Sequence, residues 1–145
     1  MPETLEIKLL QAGDEALMQT VAPDVFDDPL DEAATAEFLR DPRHHLAVAL
    51  ADGNVVGFAS AVHYVHPDKL APELWINEVG VAPSHQRQGL GRKLMDVLLA
   101  EARRLGCFQA WVLTERGNQA ARRLYAAAGG VEAPLDLVMV EFELT

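Results

Sequence analysis

A glycine-rich turn at residues 86–91 has the composition and the position of an anion-binding site. It reads Gln-Arg-Gln-Gly-Leu-Gly and lies between an apolar run at 74–81 and an amphipathic run that begins at Leu90. The first N–H groups of a helix lack intrahelical partners and carry partial positive charge, so a helix beginning here attracts phosphate. Gly89 and Gly91 allow a sharp turn and a close approach to a bulky anion. The pattern predicts a pyrophosphate cradle.

The spacing of this turn excludes two familiar phosphate-binding motifs. It lacks the Gly-Lys-Ser/Thr ending of a P-loop, and it lacks the third glycine and the downstream ribose-binding acid of a dinucleotide fold. Coenzyme A is the ligand that fits better. We expect the contacts to come from the turn and the first helical residues, which are Arg87, Gln88, Gly89, Leu90, Gly91 and Arg92.

Two ordered motifs carry a family resemblance. Gln-x-x-Gly-x-Gly after a strand ending in Val-x-Val-x-Pro, followed by a Leu-rich helix, resembles the acetyl-CoA motif of the GNAT superfamily of N-acetyltransferases. A downstream segment is similar to a second GNAT motif through Asn118, Ala121, Leu124, Tyr125 and Gly129. The resemblance covers essentially the whole chain. It implies the GNAT fold and an acetyl-CoA-dependent N-acetyltransferase in which a primary amine attacks directly, without a metal.

Acetyl transfer to an amine needs an uncharged nucleophile, a polarised thioester carbonyl and a proton for the departing thiolate. Glu78 lies in an apolar strand, where we expect it to be half-buried and to act either as the base or as an anchor for a cationic substrate. Tyr125 matches the general-acid tyrosine of the family, and packing in the core is the alternative for this side chain. A backbone N–H near Val79 is expected to polarise the carbonyl.

In the GNAT fold the fourth and fifth strands splay apart and leave a slot for the pantetheine arm. The resemblance therefore implies that backbone groups of Val79 and Val81 pair with the pantetheine amides. We expect the bulge that opens the slot at Gly80, because glycine tolerates the backbone angles of bulges; a glycine that makes room for packing is the alternative. Asn118 is expected to cap its helix and to contact coenzyme A.

Acidic residues point to a cationic acceptor, although a solvated acidic face is the ordinary alternative. The predicted substrate-binding residues are Asp27, Asp28, Asp31, Glu141 and Glu143. Residues 61–89 also resemble the aminoglycoside 3-N-acetyltransferases, which implies an antibiotic-resistance activity. Glu78 replaces a shorter aspartate of those enzymes, and a second glycine, Gly130, is expected to loosen the turn before the last strand. The alternatives are another small amine or polyamine, a protein N-terminus or lysine, and a non-catalytic acetyl-CoA-binding module.

These side chains require a mixed sheet flanked by helices, in a single α/β (α+β) domain over residues 1–145. Hydrophobic periodicity and turn residues predict the order β-α-α-β-β-β-α-β-α-β. The predicted strands are 5–9, 45–51, 55–64, 74–81, a buried strand at 107–113, and 137–144; the predicted helices are 14–21, 31–39 with Asp31 as N-cap, 90–105 and 118–128.

Composition bounds the function further. The chain has 145 residues, of which 50% are hydrophobic, and a net charge of −10, which argues against nucleic acid and favours a cationic partner. We expect neither a membrane span nor a signal peptide, and a cytoplasmic location. Cys107 is interpreted as a structural thiol, and loop histidines His63 and His66 as polar residues rather than metal ligands. Similar enzymes are commonly dimers, and the closing strand offers an edge for a homodimer.

Overall fold

The computed structural model describes residues 2–145. Five strands form one sheet in sequential order, antiparallel throughout except for the parallel last pair. The strands are β1 (Leu5–Leu9), β2 (His44–Ala51), β3 (Asn54–Tyr64), β4 (Glu73–Val81) and β5 (Gln109–Val112). The helices are α1 (Glu32–Arg40), α2 (Leu90–Arg104) and α3 (Gln119–Ala127), with 3₁₀ turns at Glu15–Met18 and Pro83–His85. Among residues 2–145, no helix has both the length and the apolar composition needed to cross a membrane.

The core lies between the sheet and α2. Four residues of this helix recur at four-residue steps and are buried against the strands; they are Leu90, Leu94, Leu98 and Ala102. Opposite them, Leu74 and Ile76 of β4 are fully buried, whereas Trp75 between them is 38% exposed. The alternation shows that β4 has one face toward α2 and another toward the surface.

Local signals in the sequence predict the caps and the central hairpin correctly. The Asp31 carboxylate accepts a hydrogen bond from the N–H of Ala34 at 2.7 Å, and the Asn118 side-chain oxygen accepts one from Ala121 at 3.1 Å, as N-caps do. The turn between β2 and β3 has Asp52 and Gly53 at φ 49° and 84°. These features depend on residues within a few positions of each other.

The helix predicted at 14–21 is a single 3₁₀ turn. Val21 leaves the helix and forms a parallel bridge with Val55 of β3, and the Val55 N–H donates to the carbonyl of Thr20 at 2.9 Å. Pairing with a buried strand therefore competes with the last helical turn and replaces it.

The end of the sheet differs from prediction in two ways. β5 is an edge strand without a fully buried residue, and its neighbours Phe108 and Leu113 are 51% and 61% exposed. The strand predicted at 137–144 does not form, since these residues are exposed and pair with no strand in the described part of the chain, 2–145. A strand exists only through its ladder of hydrogen bonds, and no neighbour offers one here.

Candidate active site

The bulge in β4 lies at Asn77 and not at the predicted Gly80. Glu78 stands opposite Ser60 of β3, and Ile76 stands opposite the next residue, Ala61, so Asn77 is the extra residue. Bulges of this kind redirect a strand and locally increase its twist. The strand therefore changes direction just before Glu78.

A close packing contact requires glycine at position 80, in agreement with the alternative interpretation of this residue. It stays in register with Phe58, and a Cβ at this position would lie 2.9 Å from the carbonyl oxygen of Val25 and 3.0 Å from the Phe58 ring. A contact of that length with backbone cannot relax cheaply. The segment before α1 is thus pressed directly onto β4.

β4 and β5 separate immediately after an aromatic contact. Trp75 and Trp111 are paired across the two strands and stack with centroids 5.3 Å apart and an interplanar angle of 12°. The Trp111 Nε1–H also donates to the Tyr64 hydroxyl at 3.0 Å. Parallel pairing ends one residue later, at Ile76, so residues 77–81 have no strand beside them on the β5 side within residues 2–145. The predicted slot between the fourth and fifth strands is present.

A cleft of about 790 Å³ opens where the strands separate. Most of the residues predicted to bind coenzyme line it, namely Val79, Val81, Arg87, Gly89, Leu90, Gly91 and Asn118, and Tyr125 joins them. Gln88 and Arg92 are not part of this lining. Arg92 instead forms an ion pair with Asp96 on the next turn of α2, at 3.0 Å.

The turn before α2 is held by its backbone and by Gln86. The Gln86 side-chain amide donates to the carbonyl of Val81 at 3.0 Å, a role that was not predicted from the sequence although Gln86 opens the motif. Arg87 and Gly89 have φ of 62° and 75°, in the left-handed region. Gly89 is the N-cap of α2 and has no side chain to satisfy the first N–H groups of the helix. Those groups are available to an anion.

The absence of a side chain at Gly91 allows α2 to pack closely on α3. A Cβ there would lie 3.1 Å from Cδ2 of Leu124. The small size of Gly91 therefore also allows the two helices to meet, a role beyond the predicted approach of an anion. This contact brings α3, which carries Tyr125, alongside the cleft.

Tyr125 is half-buried on α3, and burial raises the pKa of its hydroxyl. A phenol with a raised pKa keeps its proton at neutral pH, as a general acid must. The helix ends just beyond it in a tight turn: the Gly130 N–H donates to the carbonyl of Tyr125 at 2.8 Å, and the Gly129 N–H donates to Ala126 at 3.0 Å. This pair of bonds is a Schellman motif. The double glycine thus tightens this turn, contrary to our expectation.

A second pocket, of about 720 Å³, lies on the other side of Glu78. Three of the predicted acidic residues line it, Asp27, Asp28 and Asp31. Aromatic side chains complete its walls, namely Phe26, Phe38, Phe58 and Trp75. Phe26 and Phe58 stack with centroids 4.0 Å apart. These aromatic walls were not predicted from the sequence, although Phe26 directly precedes the acidic pair.

Glu78 lines both cavities, together with Asp27, Asn77 and Phe58. Its side chain is exposed rather than half-buried, because the bulge at Asn77 places two successive residues of β4 at the surface. A carboxylate in this position can reach a molecule in either cavity. The structure therefore places Glu78 at the junction between an anion-binding cleft and an acidic pocket.

Glu141 and Glu143 line neither cavity in this chain. Both are exposed in the segment that follows α3 and forms no strand. Their predicted place in the acceptor pocket depended on the strand at 137–144, which is unpaired.

The cysteine and histidines have structural environments. Burial, with the nearby Glu101 and Glu73 carboxylates, raises the pKa of the Cys107 thiol, which lowers its thiolate fraction. His63 is hydrogen-bonded to His45 at 2.7 Å, and His66 to Glu73 at 2.8 Å. Within residues 2–145 no three candidate ligands come together as a metal site.

Comparison with known proteins identifies the family. Residues 13–129 match the model of the acetyltransferase (GNAT) family. The chain belongs to the GNAT family. Its mixed five-stranded sheet with flanking helices is the GNAT fold, as the sequence predicts.

The GNAT relatives include two mycobacterial proteins. An uncharacterized N-acetyltransferase of Mycobacterium tuberculosis is 32% identical over 103 residues, which cover 71% of this chain and 63% of that protein. The N-alpha-acetyltransferase RimI of the same organism is 34% identical over 105 residues, or 72% of this chain and 63% of RimI. The match thus spans less than two thirds of the length of these relatives.

Solved GNAT structures agree with the fold over nearly the whole chain. An aminoglycoside acetyltransferase from an uncultured soil metagenomic sample, in complex with sisomicin, has a TM-score of 0.80 at 19% identity and covers 97% of each chain. The aminoglycoside N-acetyltransferase AAC(6')-Iy in complex with CoA has a TM-score of 0.72 at 20% identity and covers 100% of this chain and 98% of its own. These similarities establish the fold.

Proposed function

We propose that this GNAT protein transfers the acetyl group of acetyl-CoA to a primary amine of a cationic small molecule. The observation that carries the proposal is the position of Glu78, which lines both the cleft at the N-terminus of α2 and the acidic pocket. A carboxylate at this junction lies next to both reactants when the acyl donor occupies one cavity and the amine occupies the other.

The cleft suits coenzyme A by its shape and its charges. The strand gap beside residues 77–81 can take an extended chain that pairs with free backbone groups of Val79 and Val81. At the end of that gap, the N-terminus of α2 and the Arg87 side chain can bind the pyrophosphate. Asn118 uses one oxygen to cap α3 and also lines the cleft.

The chemistry follows from two side chains. Glu78 accepts a proton from the substrate ammonium, directly or through a water, and the neutral amine attacks the thioester carbonyl. The new C–N bond forms, the C–S bond breaks, and Tyr125 donates its proton to the departing thiolate. The proton that the amide nitrogen loses passes through solvent and restores the phenol. Glu78 releases the proton it accepted to solvent, so each turnover releases one proton. The products are an N-acetylated amine and coenzyme A.

An aminoglycoside is our proposed acceptor. The three aspartates of the acidic pocket attract a polycation, and its aromatic walls suit the apolar faces of sugar rings. The sequence resemblance favours a 3-N position, whereas one structural neighbour is an AAC(6') enzyme. The amine that is modified is therefore part of the test. Because acetyl-CoA is an intracellular metabolite, we place the reaction in the cytoplasm.

Acetylation of a protein N-terminus is a second candidate, favoured by the similarity to RimI. This function needs room for a peptide on both sides of the reacting amine. The acidic pocket has that opening to solvent, because Asp27 and Asp28 are exposed at its rim. A polyamine, a lysine side chain and acetyl-CoA binding without catalysis are the remaining outcomes of the test.

The test is thiol release from acetyl-CoA by the purified protein, with aminoglycosides, polyamines and basic peptides as acceptors and a blank without acceptor. We expect thiol that depends on an aminoglycoside, with a mass gain of one acetyl group on the drug and NMR assignment of the modified nitrogen. Thiol release with peptides alone would favour the second candidate. Binding of acetyl-CoA without turnover on any acceptor would overturn the enzymatic proposal.

A further inference from the structure

The turn between β4 and α2 contains backbone strain at Arg87. This residue has a φ of 62° although it carries a side chain, and the nearby Gly89 has a φ of 75°. A residue with a Cβ adopts the left-handed region only at a cost in free energy, and it stays there when surrounding contacts fix the backbone. Both residues line the cleft in which we place the pyrophosphate. The contacts made by the preceding residues therefore influence whether this cleft has its binding shape before an anion arrives.

Backbone and side-chain hydrogen bonds hold the residues just before the strained position. Ala82 is buried, and its carbonyl accepts a hydrogen bond from the His85 N–H at 2.9 Å. The Gln86 side-chain amide donates to the carbonyl of Val81 at 3.0 Å. These bonds fix the end of the turn that follows β4.

The His85 ring links the same turn to a residue that is remote in sequence. Its Nε2 lies 2.9 and 3.0 Å from the two carboxylate oxygens of Glu3, and its Nδ1 lies 2.8 Å from the Ser84 hydroxyl. An ionised carboxylate can only accept, so Nε2 carries a hydrogen. The Ser84 hydroxyl can donate to Nδ1 or accept from it, so both contacts persist whether the ring is neutral or protonated. The His85 side chain is 14% exposed, which protects the contact from solvent better than at an open surface.

Glu3 is held in place by the residue that follows it. The Thr4 N–H donates to the Asp52 carboxylate at 3.0 Å, and the Asp52 N–H donates to the Thr4 carbonyl at 2.9 Å. Asp52 belongs to the turn between β2 and β3. Residues that precede a first strand are commonly mobile unless they are tied down in this way. Glu3 therefore meets His85 from a fixed backbone, and the contact costs little additional chain entropy.

We propose that Glu3 and His85 are positioning residues, whose contact holds the turn in its anion-binding shape before the coenzyme binds. The inference rests on the proposed binding of coenzyme A in the cleft. Neither residue lines that cleft, so both act through the backbone of the turn. Their contact raises the fraction of molecules in which Arg87 and Gly89 already have the binding geometry. Because the apparent Kd equals the intrinsic Kd divided by this fraction, loss of the contact weakens coenzyme binding and spares the chemical step.

The direction of the effect separates positioning from simple charge repulsion. If Glu3 acted only through its negative charge, its removal would favour the binding of a phosphate. Positioning predicts the opposite: Glu3→Gln should raise the Kd for coenzyme A by about three- to tenfold, as expected for one partly exposed hydrogen bond to a charged group. The Kd for pantetheine, which lacks the phosphates of coenzyme A, and kcat at saturating acetyl-CoA should stay unchanged.

Glu6→Gln is the matched control for this substitution. It removes the same charge from β1, where Glu6 is exposed, and it should not raise the Kd for coenzyme A. Tighter or unchanged binding of coenzyme A by Glu3→Gln would overturn the proposal.

Substitutions of His85 test the partner in the same contact. Glutamine can place an amide N–H near the position of Nε2, so His85→Gln should keep most of the affinity for coenzyme A. His85→Leu has no donor and should match Glu3→Gln. The double variant, Glu3→Gln with His85→Leu, should lose no more than either single variant, because one contact is removed in all three. Additive losses, or equal losses in His85→Gln and His85→Leu, would contradict the proposal.

A last measurement needs neither coenzyme nor catalysis. Nitrogen NMR of the free protein should show the His85 hydrogen on Nε2, together with high order parameters for the backbone amides of residues 86–89. In Glu3→Gln those order parameters should fall, whereas in Glu6→Gln they should equal those of the wild type. Equal order in all three proteins would overturn the inference. If the wild type binds no coenzyme A, the proposed function fails, and the order parameters still decide whether Glu3 holds the turn.

Discussion

Gly80 of β4 lies directly against the carbonyl group of Val25, so close that a Cβ would come within 2.9 Å of the carbonyl oxygen. Val25 precedes the acidic residues Asp27 and Asp28, and both cavities are lined by Asp27. The contact thus fixes the segment that carries these acids onto the strand that carries Glu78.

Replacement of Gly80 with alanine should therefore lower the free energy of unfolding by about 1–3 kcal/mol, as overpacking against backbone does. Urea denaturation measures this change. Gly117→Ala is the matched control, because nothing lies within 4 Å of a Cβ at that position. Equal stability of the two variants would show that the segment before α1 moves away at little cost.

Glu78→Gln should lower kcat by a factor of about 100 to 10,000, the usual range for loss of a general base, and leave the Kd for acetyl-CoA unchanged. Glu32→Gln removes a carboxylate from the first turn of α1, away from both cavities that Glu78 lines, and should retain wild-type kinetics. A rise in KM for the amine with an unchanged kcat would assign Glu78 to substrate anchoring and not to proton transfer.

Tyr125→Phe should lower kcat by a factor of about 10 to 1,000 while acetyl-CoA still binds, since the variant keeps the ring but loses the proton for the thiolate. Because burial raises the pKa of Tyr125, this residue should cause no loss of activity as pH rises toward its ordinary value of 10. The pH dependence of kcat checks the second statement. Undiminished turnover in the variant would contradict the role as acid.

Arg87→Gln should weaken coenzyme A binding by about tenfold, the typical loss for one charge-assisted contact to phosphate. The comparison ligand is pantetheine, which lacks the phosphates of coenzyme A. Its affinity should be the same for the wild type and for Arg87→Gln if Arg87 acts on the phosphates. Arg123→Gln on α3 is the control, because Arg123 is exposed and does not line the coenzyme cleft. Calorimetry provides the constants.

His45 lies on β2 with its side chain buried beside His63 of β3, and burial, followed by the neighbouring His63, lowers its pKa to about 4. In the unfolded chain the pKa returns to about 6.5, so the unfolded state binds the proton first as the pH falls. The stability from neutral His45 is complete above pH 6.5 and should decline as the pH falls from 6.5 to 4. Urea unfolding at several pH values in this range should show that the free energy of unfolding depends less on pH in His45→Gln than in the wild type. The same pH dependence in both proteins would assign the acid sensitivity to other groups.

Residues that act within their own turn or helix were predictable from the sequence. The caps at Asp31 and Asn118 are set by side chains three positions from their partners, and the turn before α2 is set by glycines and a strand boundary. Gly80 was assigned to the wrong cause because its neighbour Val25 is remote in sequence. Burial of Glu78 was mispredicted for a similar reason, since the bulge at Asn77 depends on register with β3.

The last strand illustrates a different limit. Alternation of apolar residues in 137–144 correctly indicates a segment suited to a sheet, but the pattern does not specify which strand will pair with it. In the described chain, 2–145, no strand does. The alternation shows that the segment can form a strand. Which strand it pairs with depends on the edges that the folded protein exposes.

Both tryptophans of this protein, Trp75 and Trp111, belong to one stacked pair at the point where β4 and β5 separate. All of the tryptophan emission therefore originates at this junction. Coupled indole transitions are sensitive to small changes in ring distance and angle. The unlabelled protein thus contains an optical probe at the very place where its sheet opens.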